Sequence, residues 1–348
     1  MMNILITGGL GFMGSNLIHY LYRHYPDYRI WNLDLITYAG NPENLRDIEE
    51  KESELPFSKK RYHFIRGDVC DERLLSYLFK EHGFDAVVHL AAESHVDRSI
   101  ADTRHFIRTN IRGTHALLDT LRAFPVKRFV HISTDEVYGD RSTRGAADET
   151  TQFQPSNPYS ASKAAGDLLV QSYIHTYNIP AIIFRPSNNF GPRQYPEKLI
   201  PLTITNLILG IKVPLHGSGE YTRSWLFVGD FCRAVCLFLH DGTIGETYNV
   251  GGTPKTNNEI ARFIATMLKK DPKESIEHVK DRASQDKSYL LNWNKVQELH
   301  GFHHTYMFED ALARTVDWYV TNRAWWEKVR ASPGFQSYYK EQREALWF

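Results

Sequence analysis

The sequence predicts an α/β fold, a doubly wound parallel sheet covered on both faces by helices and joined to a smaller C-terminal α/β lobe. Three observations predict it. Six short, β-branched apolar runs recur through the first half, at 3–7, 29–34, 63–68, 85–91, 128–134 and 181–186. Amphipathic stretches of helical length separate them. The first run leads directly into a glycine-rich turn, "TGGLGFMGSN". Runs that are apolar on both faces and joined by helices belong in a parallel sheet, because the crossover helices occupy its two sides.

Taken in order, "NILIT", "RIWNLD", "HFIRGD", "DAVVHLA", "RFVHIST" and "AIIFRP" are the strands. After the fifth, "NPYSASKAAGDLL" opens a helix, with Ser156 or Asn157 as its cap and Pro158 in its first turn. Beyond about residue 189 the pattern loosens into Pro- and Gly-punctuated loops with shorter helices, "RQYPEKLIPLTITNLILG" and "NNEIARFIATMLKK" among them. The expected division is therefore 1–188 for the sheet domain and 189–348 for a substrate-binding lobe. Its boundary is discontinuous, since "RSWLFVGDFCRAVCLFLHD" and "ETYNVGG", at about 222–250, read as a return to the first domain. The Trp- and Tyr-rich tail reads as packing of a terminal helix; with no basic excess and no recognition module, a nucleic-acid surface is the poorer reading.

Composition narrows the function. In 348 residues, 42% hydrophobic and 24% charged, Lys plus Arg equal Asp plus Glu at 41 each. No bulk charge draws the chain to nucleic acid or an anionic membrane, so an anionic ligand has to be held by local groups. The start is already a strand, without a leader pattern, and no apolar run approaches the ~20 residues of a membrane span. The expected location is cytoplasmic. Cys70, Cys232 and Cys236 form no disulfide framework and no zinc set, and read as core residues, so no metal is expected.

Gly8, Gly11 and Gly14 have G-x-x-G-x-x-G spacing between the first strand and the first helix. Backbone there can approach a pyrophosphate at a helix N-terminus, where free N–H groups and the helix dipole favour negative charge. Asp34 ends the second strand, 20 residues after Gly14, where a carboxylate bonds ribose hydroxyls and repels a 2′-phosphate. NAD is thus favoured over NADP. Asp68, ending the third run, is placed to meet the adenine. The plainer reading of both acids is as turn residues at strand ends.

Tyr159 and Lys163 lie at i and i+4 on one helical face, where an ammonium beside a phenol is expected to favour the phenolate. A phenol with an ordinary pKa near 10 needs such help to serve as a base. Thr134 supplies a hydroxyl after the fifth strand, and Asp135 and Glu136 follow it. Two carboxyl groups at the end of a core strand are costly without a partner or a task. Their plainer reading is as caps, or as partners of Arg141 and Arg144.

Together these residues resemble the extended short-chain dehydrogenase/reductase family, which has a Rossmann-like domain, and within it the nucleotide-sugar 4,6-dehydratases, the dTDP-glucose enzymes nearest. The motifs are "TGGLGFMGSN", "LAAESHVDRSI", "STDEVYG", "YSASK", "RPSNNFGPRQYPEKLIP", "ETYNVGG" and "TVDWYVTN". The resemblance spans nearly the whole chain, and its sharpest element is the acid pair in "STDEVYG". It implies bound NAD at Gly8, Gly11, Phe12, Met13, Gly14, Asp34, Asp68, Val69, Leu90, Ala91 and Ala92, with Tyr159 and Lys163. It implies Tyr159 as the base at a sugar C4 hydroxyl, Glu136 as the base at C5 and Asp135 as the acid at O6. Asn189, Lys198, Leu199, Arg223, Asn258 and Arg282 match nucleotide-sugar positions, while Ser94, Asp97 and Arg98, just beyond the fourth strand, sit at the strand ends where doubly wound folds bind ligands. A homodimer built on helices around 102–122 and 159–177 is also implied.

Two departures bear on the substrate. The dTDP-glucose enzymes usually read D-R-P-G-H-D-R-R-Y-A-I-D where this chain reads "DRASQDKSYLLN", so Gln285 and Ser288 stand in place of histidine and arginine. Leu10 and Met13 are packing variations in the glycine turn. A dehydratase of UDP-glucose or a UDP-N-acetylhexosamine is the same-fold alternative. A 4-epimerase or decarboxylase has no need of the acid pair, and a non-catalytic NAD sensor has no need of Thr134, Tyr159 and Lys163 together.

Overall fold

The computed structural model describes residues 2–281 and 286–344. Strands β1 (Met2–Thr7), β2 (Tyr28–Asp34), β3 (Tyr62–Arg66), β4 (Ala86–His89), β5 (Arg128–Ile132), β6 (Ala181–Pro186) and β7 (Thr247–Val250) form one sheet in the order β7-β6-β5-β4-β1-β2-β3. Every pairing in it is parallel. Alternate residues of each strand serve opposite layers, as the pleat requires. Ile4, Ile6, Val88, Val130 and Phe184 pack on one side with the helices Phe12–His24 and Val228–His240. Leu5, Val87, Phe129 and Ile183 pack on the other with Glu72–His82, Thr114–Ala123 and Pro158–Tyr177. Cys232 and Cys236 are buried in the first layer, and all three cysteines are free.

Chain order reverses between β1 and β4, which opens a crevice at the carboxyl ends of the strands. β3, β4 and β5 stop two residues short of the runs read from the sequence, because their last residues already belong to the loops lining that crevice.

The second lobe has its own core, in which Leu199–Ile208, Asn257–Met267 and Phe308–Thr321 pack together. Strand Thr222–Phe227 pairs with Asn188–Phe190, Thr253–Thr256 and Ser288–Tyr289. Of the 222–250 span, this first strand therefore lies in the small sheet, while the helix Val228–His240 and β7 pack on the large one. Near the C-terminus Trp326 is fully buried, its indole N–H donating to Tyr319 O at 2.7 Å, and the Trp325 indole donates to Asn44 Oδ1 at 2.9 Å. These bonds pin the tail helices across both lobes.

Candidate active site

The glycine turn is shaped by what a side chain would strike. Gly8 has φ +74°, and a Cβ there would meet Ala91 N at 2.7 Å; at Gly14 it would meet Gly8 O at 2.3 Å. The turn can therefore lie flat against the loop after β4 only without side chains. At Gly11 the nearest protein atom is 3.4 Å away, so its outer face is open. Gly11 precedes the helix Phe12–His24 with no side chain capping it, which leaves the first N–H groups aimed at the crevice. That cradle fits a pyrophosphate.

Gly8, Gly11, Phe12, Met13, Gly14, Asp34, Asp68, Val69, Leu90, Ala91 and Ala92 all line one cavity, which extends to Tyr159 and Lys163. Asp34 accepts from Leu10 N at 2.9 Å and Ile36 N at 2.7 Å, which oppose the upward push of burial on its pKa. It thereby holds Ile36 at φ 61°, a strained setting for a β-branched residue beside a binding crevice. Asp68 accepts from Cys70 N at 2.8 Å and is ion-paired with Arg108.

Tyr159 and Lys163 line this cavity, and Thr134, Asp135 and Glu136 are buried close to Tyr159. Thr134 caps a single turn, Asp135–Tyr138, accepting from Glu136 N at 3.3 Å. Asp135 is 2% exposed, and its Oδ2 has no hydrogen-bond partner among the described residues. Burial, reinforced by Glu136, pushes its pKa up to about 8. Glu136 is raised by burial as well, but Arg223 opposes the shift, and its carboxylate accepts from Asn157 Nδ2 at 3.4 Å and Tyr289 OH at 3.5 Å. Two neighbouring carboxyls in unlike surroundings divide into an acid and a base.

Asn157 rather than Ser156 caps the helix Pro158–Tyr177, in a reciprocal box with Ser160. Tyr159 is buried, with the Thr134 hydroxyl hydrogen-bonded to it. The expected phenolate is not what this arrangement favours. Burial, with Glu136 and Asp135 nearby, pushes the phenol up, and the Lys163 ammonium donates to Ile132 O at 2.7 Å. Burial lowers Lys163 to about 8, with Asp167 opposing. Tyr159 thus keeps its proton in the ligand-free chain.

A second cavity adjoins the first through Ser94, Glu197 and Lys198. Ser94, Asp97, Lys198, Leu199 and Arg223 line it, together with Glu136. Lys198 donates to Ser94 O at 3.4 Å. Arg223 bonds Asp286 O at 2.9 Å and lies over the Tyr289 ring at 4.4 Å. Of the asparagines in these two segments, Asn188 and Asn257, the neighbours of Asn189 and Asn258, line this cavity. Asn189 instead donates to Ser187 O at 2.9 Å, and Asn258 to Ser218 O at 2.8 Å. Arg282 and Gln285 lie outside the described residues.

Sequence reading missed Glu197, Asp286 and Tyr289, which also line this cavity. Glu197 is fully buried, and the Tyr289 hydroxyl donates to Asp286 Oδ2 at 2.6 Å. The first sits inside "YPEKLIP" and the other two inside "DRASQDKSYLLN", so inspection of those motifs for acids and phenols would have found them. Asn110 was missed too. In a π-helical stretch, Ile107–Gly113, it bonds Glu93 N, Glu93 O and Ser162 Oγ at 2.8–2.9 Å, fixing the loop after β4 to the helix of Tyr159.

Fold and site place the chain among nucleotide-sugar-modifying short-chain dehydrogenase/reductases, and it belongs to the GDP-mannose 4,6 dehydratase family, whose model matches residues 5–315. Among its relatives, the dTDP-glucose 4,6-dehydratase of Xanthomonas campestris is 43% identical over 343 residues, covering 93% of this chain and 95% of that one. The dTDP-glucose 4,6-dehydratase of Streptomyces venezuelae, solved with NAD bound, superposes with a TM-score of 0.88 at 42% identity, over 94% of this chain and all of that one. The UDP-glucose 4-epimerase of Thermotoga maritima shares the fold at a TM-score of 0.84 with 26% identity, over 92% of this chain and all of that one.

Proposed function

We propose that the chain is an NAD-dependent nucleotide-diphospho-hexose 4,6-dehydratase that converts dTDP-glucose to the 4-keto-6-deoxy product. The observation that carries this reading is the acid pair: Asp135 and Glu136 lie buried in one turn next to Tyr159, and Asp135 has its pKa raised to about 8. An epimerase needs only the Tyr159 and Lys163 part of that set. The dehydratase relatives at above 40% identity, and the NAD in their solved structures, support the same reading.

NAD, held at Gly8, Gly11, Gly14, Asp34 and Asp68, supplies the chemistry of taking the C4 hydride and later returning it to C6. Tyr159, once it has given up its own proton, takes that of the C4 hydroxyl; the Thr134 hydroxyl favours this phenolate against the upward push of burial, and Lys163 carries a positive charge one turn along the same helix. The resulting ketone acidifies C5. Glu136 removes the C5 proton, and Asp135, protonated below about pH 8, gives its proton to the departing O6 so that water leaves. Because C5 and C6 are adjacent, neighbouring carboxyls reach both. Glu136 then returns the proton to C5. Ser94, Asp97, Lys198, Leu199 and Arg223 hold the nucleotide diphosphate, with cationic groups facing its phosphates.

Ser288, where the dTDP-glucose pattern has arginine, is buried in a strand and bonded through its backbone to Asp140 and Arg141, so it brings no charge to the cavity. This favours testing UDP-hexoses as the second reading. Incubation of the NAD-loaded protein with dTDP-, UDP-, CDP- and GDP-hexoses, read by the alkaline absorbance of 4-keto-6-deoxy sugars, decides among them. Product from dTDP-glucose alone fits the first reading, and no product from any of them overturns it. A homodimer forms through the helices at 102–122 and 159–177, where Ile107 and Leu168 are 54% and 56% exposed. Among the described residues no helix is long and apolar enough to cross a membrane.

A further inference from the structure

Behind the reactive groups runs a buried polar bridge that the chemistry above does not use. Arg185, on β6, is 1% exposed and donates through Nε to Asp167 Oδ2 at 2.8 Å and through Nη1 to Tyr138 OH at 2.7 Å. Tyr138 OH in turn donates to Asn249 Oδ1, on β7, at 2.9 Å. The Asn249 amide donates to Ala147 O and Asn292 O, both at 3.2 Å.

The ends of this bridge are informative. Asp167 lies one turn after Lys163 on the helix that carries Tyr159, is fully buried, and is the group that opposes the fall in the Lys163 pKa. Tyr138 closes the same turn that carries Asp135 and Glu136. Asn292 follows the segment that holds Tyr289 against Glu136. One guanidinium therefore joins the element that oxidises C4 to the element that eliminates water. A buried ion pair is a poor device for stability alone, since packed apolar residues of like volume often do as well or better. Its fixed, directional geometry is suited to setting distances.

We infer that Arg185, bridging Asp167 and Tyr138, is a positioning residue that sets the acid pair relative to Tyr159 and Lys163, and so commits the oxidised sugar to elimination. This rests on the dehydratase reading. A misplacement of about 1 Å at a reacting group can cost ~10²-fold. Loosening the bridge by the Tyr138 hydroxyl should fall more on elimination, which needs two groups aligned at C5 and O6, than on C4 oxidation.

The test is Tyr138→Phe in the NAD-loaded enzyme, with single-turnover quench and mass detection of the 4-keto sugar before and after loss of water. The expected result is about tenfold slower elimination, C4 oxidation within about threefold of wild type, and build-up of the 4-keto sugar that retains its 6-hydroxyl. Arg185→Met should shift the same ratio, and Tyr138→Phe should add little on top of it. An unchanged ratio in Tyr138→Phe, or an equal fall of both steps, overturns the inference, and Tyr138→Phe decides alone where Arg185→Met does not fold. Failure of the wild-type chain to make a 4-keto-6-deoxy sugar would overturn the dehydratase reading instead, so the two failures are separable.

Discussion

The two halves of the cleft are built in different ways. On the cofactor side the walls are largely backbone and short side chains from the strand ends and loops of one sheet: the glycine turn after β1, Asp34 at the end of β2, Asp68 after β3 and 90–92 after β4. On the substrate side charged and aromatic side chains stand among polar and apolar ones, from segments scattered over 94–97, 156–157, 188–202, 214–225, 257 and 286–289, with Glu136. The cofactor side is a geometry that any strand order with this switch point would supply. The substrate side is a chemistry that only this collection of loops supplies.

The sharpest way to break that contrast is on the substrate side. Asp135→Asn removes the proposed proton donor without altering the glycine cradle, and should slow dehydration by ~10²- to 10⁴-fold while C4 oxidation and NAD titration stay near wild type. Accumulation of a 4-keto hexose with its 6-hydroxyl is the expected signature, and undiminished turnover would remove Asp135 from the role. Tyr159→Phe stops the sequence one step earlier, so it should lower C4 oxidation itself with NAD binding retained.

The complementary experiment is on the cofactor side. In Gly14→Ala the new methyl meets Gly8 O at 2.3 Å and Gly9 Cα at 2.7 Å, and backbone cannot yield cheaply. Overpacking of this kind costs ~1–3 kcal/mol, so NAD affinity should fall by ~10- to 100-fold in a fluorescence titration. Wild-type affinity would mean that the turn adapts and that the cradle is not what holds the cofactor.

The same contrast explains what could be read from the sequence. Glycine spacing, the strand-end acids and the helix start at Pro158 are local patterns, and they map directly onto elements. On the substrate side spacing is less informative: Asn188 and Asn189 alternate across a short strand, and Asn257 and Asn258 share a helix start, so their orientation depends on the strand pairing with Thr222–Phe227 and on the loop at 217–220. Tyr289 reaches Glu136 across 153 residues of chain, a distance no spacing rule spans. The Tyr159 phenol was misjudged for another reason. Spacing places Lys163 on the same face, but only the fold shows its ammonium turned to Ile132 O and the depth of burial that outweighs it.

The smallest expected effect concerns stability, and it follows from the mechanism. Between the ordinary carboxyl value of 3.8 and about 8, the folded chain keeps a proton on Asp135 that the unfolded chain has released. Folding then takes up a proton, so the contribution of this site to stability falls as pH rises through that window and is level on either side of it. Asn cannot ionise and carries no such loss. Asp135→Asn should therefore be more stable than wild type by about 0.5–2 kcal/mol, the usual gain when a strained functional group is relieved. The gap should open from about pH 4 towards pH 8 in denaturant melts of the two proteins. Lys163, lowered to about 8 by burial, loses its charge over the upper end of the same range, so wild-type turnover should also fall above about pH 8. Equal stability at pH 5 and pH 8 would mean that Asp135 is ionised in the folded chain, and the acid at O6 would have to be sought elsewhere.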